Sequence, residues 1–307
     1  MRISNCAIDI VLLGRHCRFT ATVLQALIEE GHRILLVVVA APSPGCRVVI
    51  PAATKPRISL ATPSALPTVA GLAWSSGAKL VETSREELAS LPRRFRELRE
   101  GVLISACFPW KLPLDVLGAP PLGALNVHPS LLPAHRGPDP VFWALHAGDV
   151  TSGATVHWMN RELDAGPILA QESFDLPLRS RAVEIEHTAV SIGARLLVDK
   201  LRTLSETDAP AIVTPLADLS PIEPQPTSQD LRLDTSWDAE RAFRFIYGTA
   251  PDYGPLTLQM PSGRTLHVTD ATRLYPGNEL RSEPAETDGR PLVQFSDGVV
   301  EVVPVPG

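Results

Sequence analysis

Residues 8–13 form an apolar run broken only by Asp9, and Phe19, Val23, Leu24 and Leu27 then recur at the three- and four-residue spacing of one helical face. Gly31 and His32 end that helix before a second apolar run at 34–39. The opening therefore reads as strand, helix, strand. The alternation continues with a helix over 69–75, a strand at 79–81, a helix over 86–99 and a continuous apolar strand at 102–106. Strands that alternate with helices in this way pair in parallel through crossovers, which predicts a Rossmann-like, doubly wound, mostly parallel sheet.

Beyond Phe108 the pattern changes. It predicts a strand at 124–128, a helix near 141–147 stopped by Gly148, strands at 154–159 and 168–174, and a long helix over 182–204. Pro210, Pro215, Pro221, Pro224 and Pro226 crowd the next stretch, a density suited to an extended connection rather than an element interior. The expected organisation is an α/β domain over 1–205, a proline-rich linker over 206–229 and a smaller domain over 230–307. In the last part, Thr235 and Asp238 stand where a capping residue and its partner three positions on are expected, ahead of a short helix through Phe243 and Ile246. Four strand-like runs follow, at 256–260, 265–269, 292–295 and 299–303, with turn residues at 261–263 and 296–298. This part is expected to be a small antiparallel, OB-like β domain.

Composition narrows the chemistry mainly by exclusion. A formal charge of −6 gives no general attraction for nucleic acid or anionic membranes. The longest apolar run, 34–41, has eight residues, whereas a membrane span needs about twenty. The first apolar run is too short and broken for a signal peptide, so a cytoplasmic protein with no membrane partner is expected. Cys6, Cys17, Cys46 and Cys107 are widely spaced and form no Cys-x-x-Cys pair, which argues against a zinc knuckle or a dithiol motif and for reduced thiols. His135, His146 and His157 lack metal-ligand spacing; all three read as non-catalytic, and no metal is expected.

The residues that carry chemistry lie between positions 125 and 171. Asn126 and His128 are two apart at the end of a strand, so both side chains leave one face at the carboxyl edge of the sheet, where open α/β sheets bind ligands. An amide donor beside an imidazole can hold a carbonyl oxygen and stabilise the charge it gains under nucleophilic attack. Asp164, in a loop, supplies a carboxylate able to orient the imidazole and relay a proton. Neither a Gly-x-Ser-x-Gly elbow nor a Cys/His pair is evident, which favours direct transfer over a covalent enzyme intermediate.

Asn126-Val127-His128-Pro129-Ser130-Leu131-Leu132-Pro133, Arg136-Gly137 and Leu163-Asp164-Ala165-Gly166-Pro167-Ile168-Leu169 resemble the signature of the 10-formyltetrahydrofolate-dependent formyltransferases. The resemblance implies that 10-formyltetrahydrofolate is the co-substrate, that Asn126 and His128 contact the formyl oxygen, and that Asp164 assists removal of a proton from the acceptor amine. It also implies a folate site lined by Phe108, Ser130, Leu131, Leu132, Pro133, Arg136 and Gly137. Two stretches depart from the family's usual wording: Phe108-Pro109-Trp110 in the segment that takes the place of the pterin-contacting loop, and Gly14-Arg15-His16-Cys17 in the first strand-to-helix turn.

Within that family the C-terminal part resembles the β domain of methionyl-tRNA formyltransferases. From 226 to 307, however, seven arginines and no lysine face twelve acidic residues, a formal charge of −5, which makes a poor platform for phosphate backbones. The loop 41–60 adds only Arg47, Lys55 and Arg57. The first turn lacks the Gly/Ser-rich cradle that a glycinamide ribonucleotide phosphate uses. A formyltetrahydrofolate hydrolase is expected to carry a regulatory domain ahead of the first strand, where this sequence opens. The expected partner is a small-molecule amine, such as an amino sugar, a hydroxyornithine-like side chain or a specialised metabolite, rather than tRNA. Folate binding by a degenerate site and another folate one-carbon transfer stand as alternatives.

Overall fold

The computed structural model describes residues 7–41, 47–49, 67–95, 101–204, 218–260, 263–280, 285–287 and 289–306. Half of the expected linker (206–217), most of the loop 41–60, Cys6, Cys46 and two of the three residues of the 261–263 turn lie outside the described residues. The chain divides into two compact units, Met1–Ala134 with Ala154–Glu172 and Ala189–Ser220, and His135–Gly153 with Ser173–Thr188 and Pro221–Gly307.

In chain order the elements up to the long helix are β1 (Asp9–Gly14), α1 (Arg18–Glu29), β2 (Arg33–Ala40), β3 (Arg47–Val49), α2 (Val69–Ser75), β4 (Lys79–Thr83), β5 (Gly101–Ala106), α3 (Leu114–Leu117), β6 (Ala124–His128), α4 (Pro140–Ala147), β7 (Thr151–Trp158), β8 (Ile168–Asp175) and α5 (Ala182–Leu201). Eight strands form one sheet in the order β3-β4-β2-β1-β5-β6-β7-β8. The run β4-β2-β1-β5-β6 is parallel throughout, while β3 and β7 pair antiparallel with their neighbours.

Every residue of β1 is buried. Its alternation explains why: Ile10 and Leu12 enter the core on one face of the sheet with Val23, Leu24 and Leu27 of α1, while Val11 and Leu13 enter the core on the other with Leu103 and Val116. A strand covered on both faces reads as an unbroken apolar run, and each fully buried aliphatic side chain contributes about 1.5–3 kcal/mol. The first turn of α1 sits hard against the end of β1: a Cβ at Gly14 would lie 2.3 Å from the Thr20 side chain. The Thr20 hydroxyl also donates to the Ala106 carbonyl at 2.8 Å, tying α1 to the end of β5. Because β1, β5 and β6 run in parallel, their carboxyl ends share one edge.

The helix expected over 86–99 is, among the described residues, a 3₁₀ segment, Leu88–Arg94. Pro92 lies inside it and cannot supply the amide that a continuing α-helix requires.

The second unit holds β9 (Arg232–Leu233), α6 (Ala239–Tyr253), β10 (Leu256–Gln259), β11 (Thr265–Pro276), β12 (Ala285–Thr287), β13 (Arg290–Phe295) and β14 (Gly298–Pro304). The sheet order is β12-β13-β14-β11-β10-β9, antiparallel apart from the short β10–β9 pair. Phe142 of α4, Phe243, Phe245 and Ile246 of α6, and Val300 and Val302 of β14 fill its core. The cap of α6 is Asp238 rather than Thr235: its carboxylate accepts the Arg241 amide at 2.7 Å. Residues 234–237 are held in a turn of their own, in which Asp234 accepts the Ser236 amide at 2.8 Å.

Candidate active site

Asn126 and His128 occupy the last turn of the β6 pleat, next to β7. In the antiparallel register Asn126 stands opposite His157 and His128 opposite Thr155, so four polar side chains meet on one face of the paired strands. Asp164 comes from the loop between β7 and β8, which the Trp158 amide closes onto the Pro167 carbonyl at 2.9 Å. Asp164 itself has φ +48°, in the left-handed region. For a residue other than glycine, that conformation persists only where the surroundings enforce it, most often at functional sites.

The expected trio is brought together. Oδ1 of Asp164 lies 3.4 Å from Nδ2 of Asn126 and 3.9 Å from Nδ1 of His128. All three residues are buried. His157, expected to be non-catalytic, is the residue that completes the group. Its Nε2 stands 3.1 Å from Nδ2 of Asn126, and its ring meets that of His128 edge-on, with centroids 6.5 Å apart.

The tautomer of His157 follows from its partners. Nδ1 is 2.8 Å from the Trp158 carbonyl, which can only accept, so Nδ1 carries the proton. Burial then pushes the pKa down to about 4, opposed by the Asp164 carboxylate and reinforced by His128. A neutral ring with its proton on Nδ1 leaves Nε2 as an acceptor, and the Asn126 amide must donate to it. This contact fixes which end of the carboxamide is nitrogen.

The turn that follows β6 is pinned from β7 and β8. Thr155 donates to the Ser130 carbonyl at 2.6 Å and accepts the Leu132 amide at 3.3 Å, while Gln171 donates to the Leu132 carbonyl at 2.9 Å and to Thr155 at 2.8 Å. Ser130 is buried and its hydroxyl donates to the Ala134 carbonyl at 2.7 Å. Leu132 is buried, and Leu131 and Pro133 are half-buried. Phe108, just past the end of β5, is half-buried and meets Trp110 edge-on at 5.4 Å.

Arg136 and Gly137 fall in the second unit. There the Arg136 carbonyl accepts the Glu223 amide at 2.8 Å. Gly137 has φ +130°, and a Cβ on it would lie 2.2 Å from the Glu223 carbonyl oxygen. The glycine thus has a local reason, the approach of the 222–223 backbone. No group of three or more His, Cys, Asp or Glu able to hold a metal occurs among the described residues, and no helix among them is long and apolar enough to cross a membrane.

Residues 9–201 match the family model described as formyl transferase. A methionyl-tRNA formyltransferase of Chloroflexus aurantiacus is 36% identical over 183 residues, which cover 60% of this chain and 55% of that protein. The chain thus matches little more than half the length of that relative. A second methionyl-tRNA formyltransferase, of Ruminiclostridium cellulolyticum, is 28% identical over 289 residues, covering 92% of this chain and 87% of the other. Among solved structures, the N-formyltransferase of Helicobacter canadensis, crystallised with folinic acid and dTDP-3-aminofucose, shares the fold with a TM-score of 0.62 at 14% identity, over 97% of this chain and all of the other.

Proposed function

This chain belongs to the formyl transferase family, and from that premise we propose that it is a 10-formyltetrahydrofolate-dependent N-formyltransferase acting on the amine of a small molecule. The observation that carries this reading is the buried group at the end of β6, where one carboxylate lies 3.4 Å from an amide and 3.9 Å from an imidazole. Its donor set suits a formyl oxygen, and the half-buried Phe108–Trp110 pair at the same sheet edge suits a flat pterin ring.

10-Formyltetrahydrofolate supplies an electrophilic formyl carbon and a nitrogen leaving group. Asn126 has two amide hydrogens; the shorter contact, 3.1 Å, is spent on His157, and the longer, 3.4 Å to Asp164, is the one exchanged for the formyl oxygen. Nδ1 of His128 lies 3.9 Å from Asp164, beyond hydrogen-bond distance, so in this reading the ring keeps its proton on Nε2 and donates it to the same oxygen. Together they stabilise the negative charge that oxygen gains on attack, and burial strengthens both contacts. Asp164 accepts the proton from the attacking amine and returns it to the departing nitrogen. One carbon–nitrogen bond forms, one breaks, and no enzyme-bound acyl group is needed.

The small-molecule acceptor is supported by the charge of −5 on residues 226–307, which opposes a phosphate backbone. An amino sugar is the acceptor class suggested by the ligand of the Helicobacter canadensis enzyme. The second reading, methionyl-tRNA, is favoured by the names of the relatives, one of them matched over 92% of this chain. Incubating the protein with 10-formyltetrahydrofolate and a panel of nucleotide-linked amino sugars, hydroxyornithine and charged methionyl-tRNA separates the two. Formylation of a small amine is expected; formylation of methionyl-tRNA alone overturns the acceptor assignment.

A further inference from the structure

Cys17 and Cys107 are placed side by side by the parallel pairing of β1 and β5. Gly14 is the register partner of Ala106; Cys107 follows directly after Ala106, and Cys17 is the residue before α1. Thr20 links the two positions, since its hydroxyl donates to the Ala106 carbonyl at 2.8 Å and lies 3.4 Å from Sγ of Cys17. Both thiols pack against the same core cluster, both are half-buried, and neither is in a disulfide. A side-chain hydrogen bond joins them directly, and it is the largest cause that lowers the Cys17 thiol to about 5, with Thr20 assisting and burial opposing. A lowered thiol pKa favours the thiolate, the nucleophilic form.

We propose that Cys17 and Cys107 are a peroxide-responsive modification site that closes into an intramolecular disulfide. The Cys17 sulfur, as thiolate, attacks the peroxide, forming an S–O bond as the O–O bond breaks, and hydroxide leaves and takes a solvent proton to become water. Cys107 then attacks that sulfur, forming the S–S bond as the S–O bond breaks and a second water leaves with the Cys107 proton. Each sulfur gives up one electron and the peroxide gains two. The cross-link joins the β1–α1 turn to the loop that opens with Cys107 and Phe108. Ala106 pairs with Val127, so Cys107 stands one step past β5 where His128 stands one step past Val127 on β6. The cross-link itself requires only the two thiols; its consequence for turnover rests on the formyl-transfer reading.

The test treats the whole protein at pH 7 with a small excess of hydrogen peroxide, caps remaining thiols and maps peptides without reduction. The expected product is about 2 Da lighter than the starting protein, from the two hydrogens lost, and yields one Cys17–Cys107 peptide pair that dithiothreitol removes. Pairing through Cys6 or Cys46, or oxygen addition at Cys17 without a cross-link, overturns the proposal. In Cys107→Ala the Cys17 alkylation rate at pH 6 is expected to fall at least about tenfold, because the main donor to the thiolate is gone; an unchanged pH profile overturns the pairing. Oxidised wild type is expected to lose formyl-transfer turnover about tenfold or more, reversibly, if the loop beside His128 is held. A cross-linked protein with full turnover overturns that consequence, whereas a reduced protein with no turnover contradicts only the formyl-transfer reading.

Discussion

Nδ2 of Asn126 lies 3.1 Å from Nε2 of His157, its cross-strand partner, and this contact sets the orientation of the amide at the centre of the site. His157 does so because its other nitrogen is committed to the Trp158 carbonyl. In the proposed mechanism the ring acts through Asn126 rather than by touching the reacting atoms.

Replacing His157 by Ala is therefore expected to lower kcat by about tenfold to a hundredfold, the scale of weakening one oxyanion donor, while KM for the amine changes less. Steady-state kinetics on both substrates check this. His157→Gln, which retains an acceptor, is expected to recover part of the rate; equal loss in both variants contradicts the positioning role.

The low pKa of His157 also makes stability depend on pH. The folded ring stays neutral down to about 4, whereas in the unfolded chain it takes up a proton below its ordinary value of about 6.5. The unfolded state thus binds more protons between those limits, and stability is lost as pH falls through that window, by up to about 3 kcal/mol. Urea unfolding at pH 7 and pH 4.5 is expected to show a smaller acid loss in His157→Gln than in the wild type.

Asp164→Asn and His128→Ala are each expected to reduce turnover about a hundredfold or more, with thermal unfolding close to wild type. Rapid chemistry in either variant, measured by single-turnover formyl transfer, contradicts the assigned proton and oxyanion roles.

Thr155→Val removes a hydroxyl that makes two hydrogen bonds to the Ser130–Leu132 turn and accepts a third from Gln171. The loss is expected to cost about 1–3 kcal/mol of stability and to raise KM for the folate more than it lowers kcat. Gly137→Ala should cost at least about 2 kcal/mol because of its positive φ and the Glu223 carbonyl. Chemical denaturation of both variants measures these losses.

Much of this was legible in the sequence. The apolar runs of β1, β2 and β5 are continuous because both faces are buried, and the pairing of Asn126 with His128 needed only the two-residue period of a strand. Asp164 could be joined to them through its motif. His157 could not be recognised by its spacing, because its role depends on the antiparallel register of β6 with β7, a contact between residues thirty-one apart. A signal was present: Thr155 and His157 alternate with the apolar Ala154, Val156 and Trp158. Arg136 and Gly137 follow the turn closely in sequence, yet Gly137 answers to Glu223, a constraint no local pattern carries. The helix expected beyond residue 86 failed on a single residue, Pro92.

The central claim is transfer of the formyl carbon to a small amine. Its most direct measurement follows 13C-labelled formyl from 10-formyltetrahydrofolate in a single turnover, with the amine panel and methionyl-tRNA present together. The label is expected on the nitrogen of a small amine, with Asp164→Asn slowing its arrival. Label found only on methionyl-tRNA, or retained on the folate in the presence of every acceptor, would contradict the account.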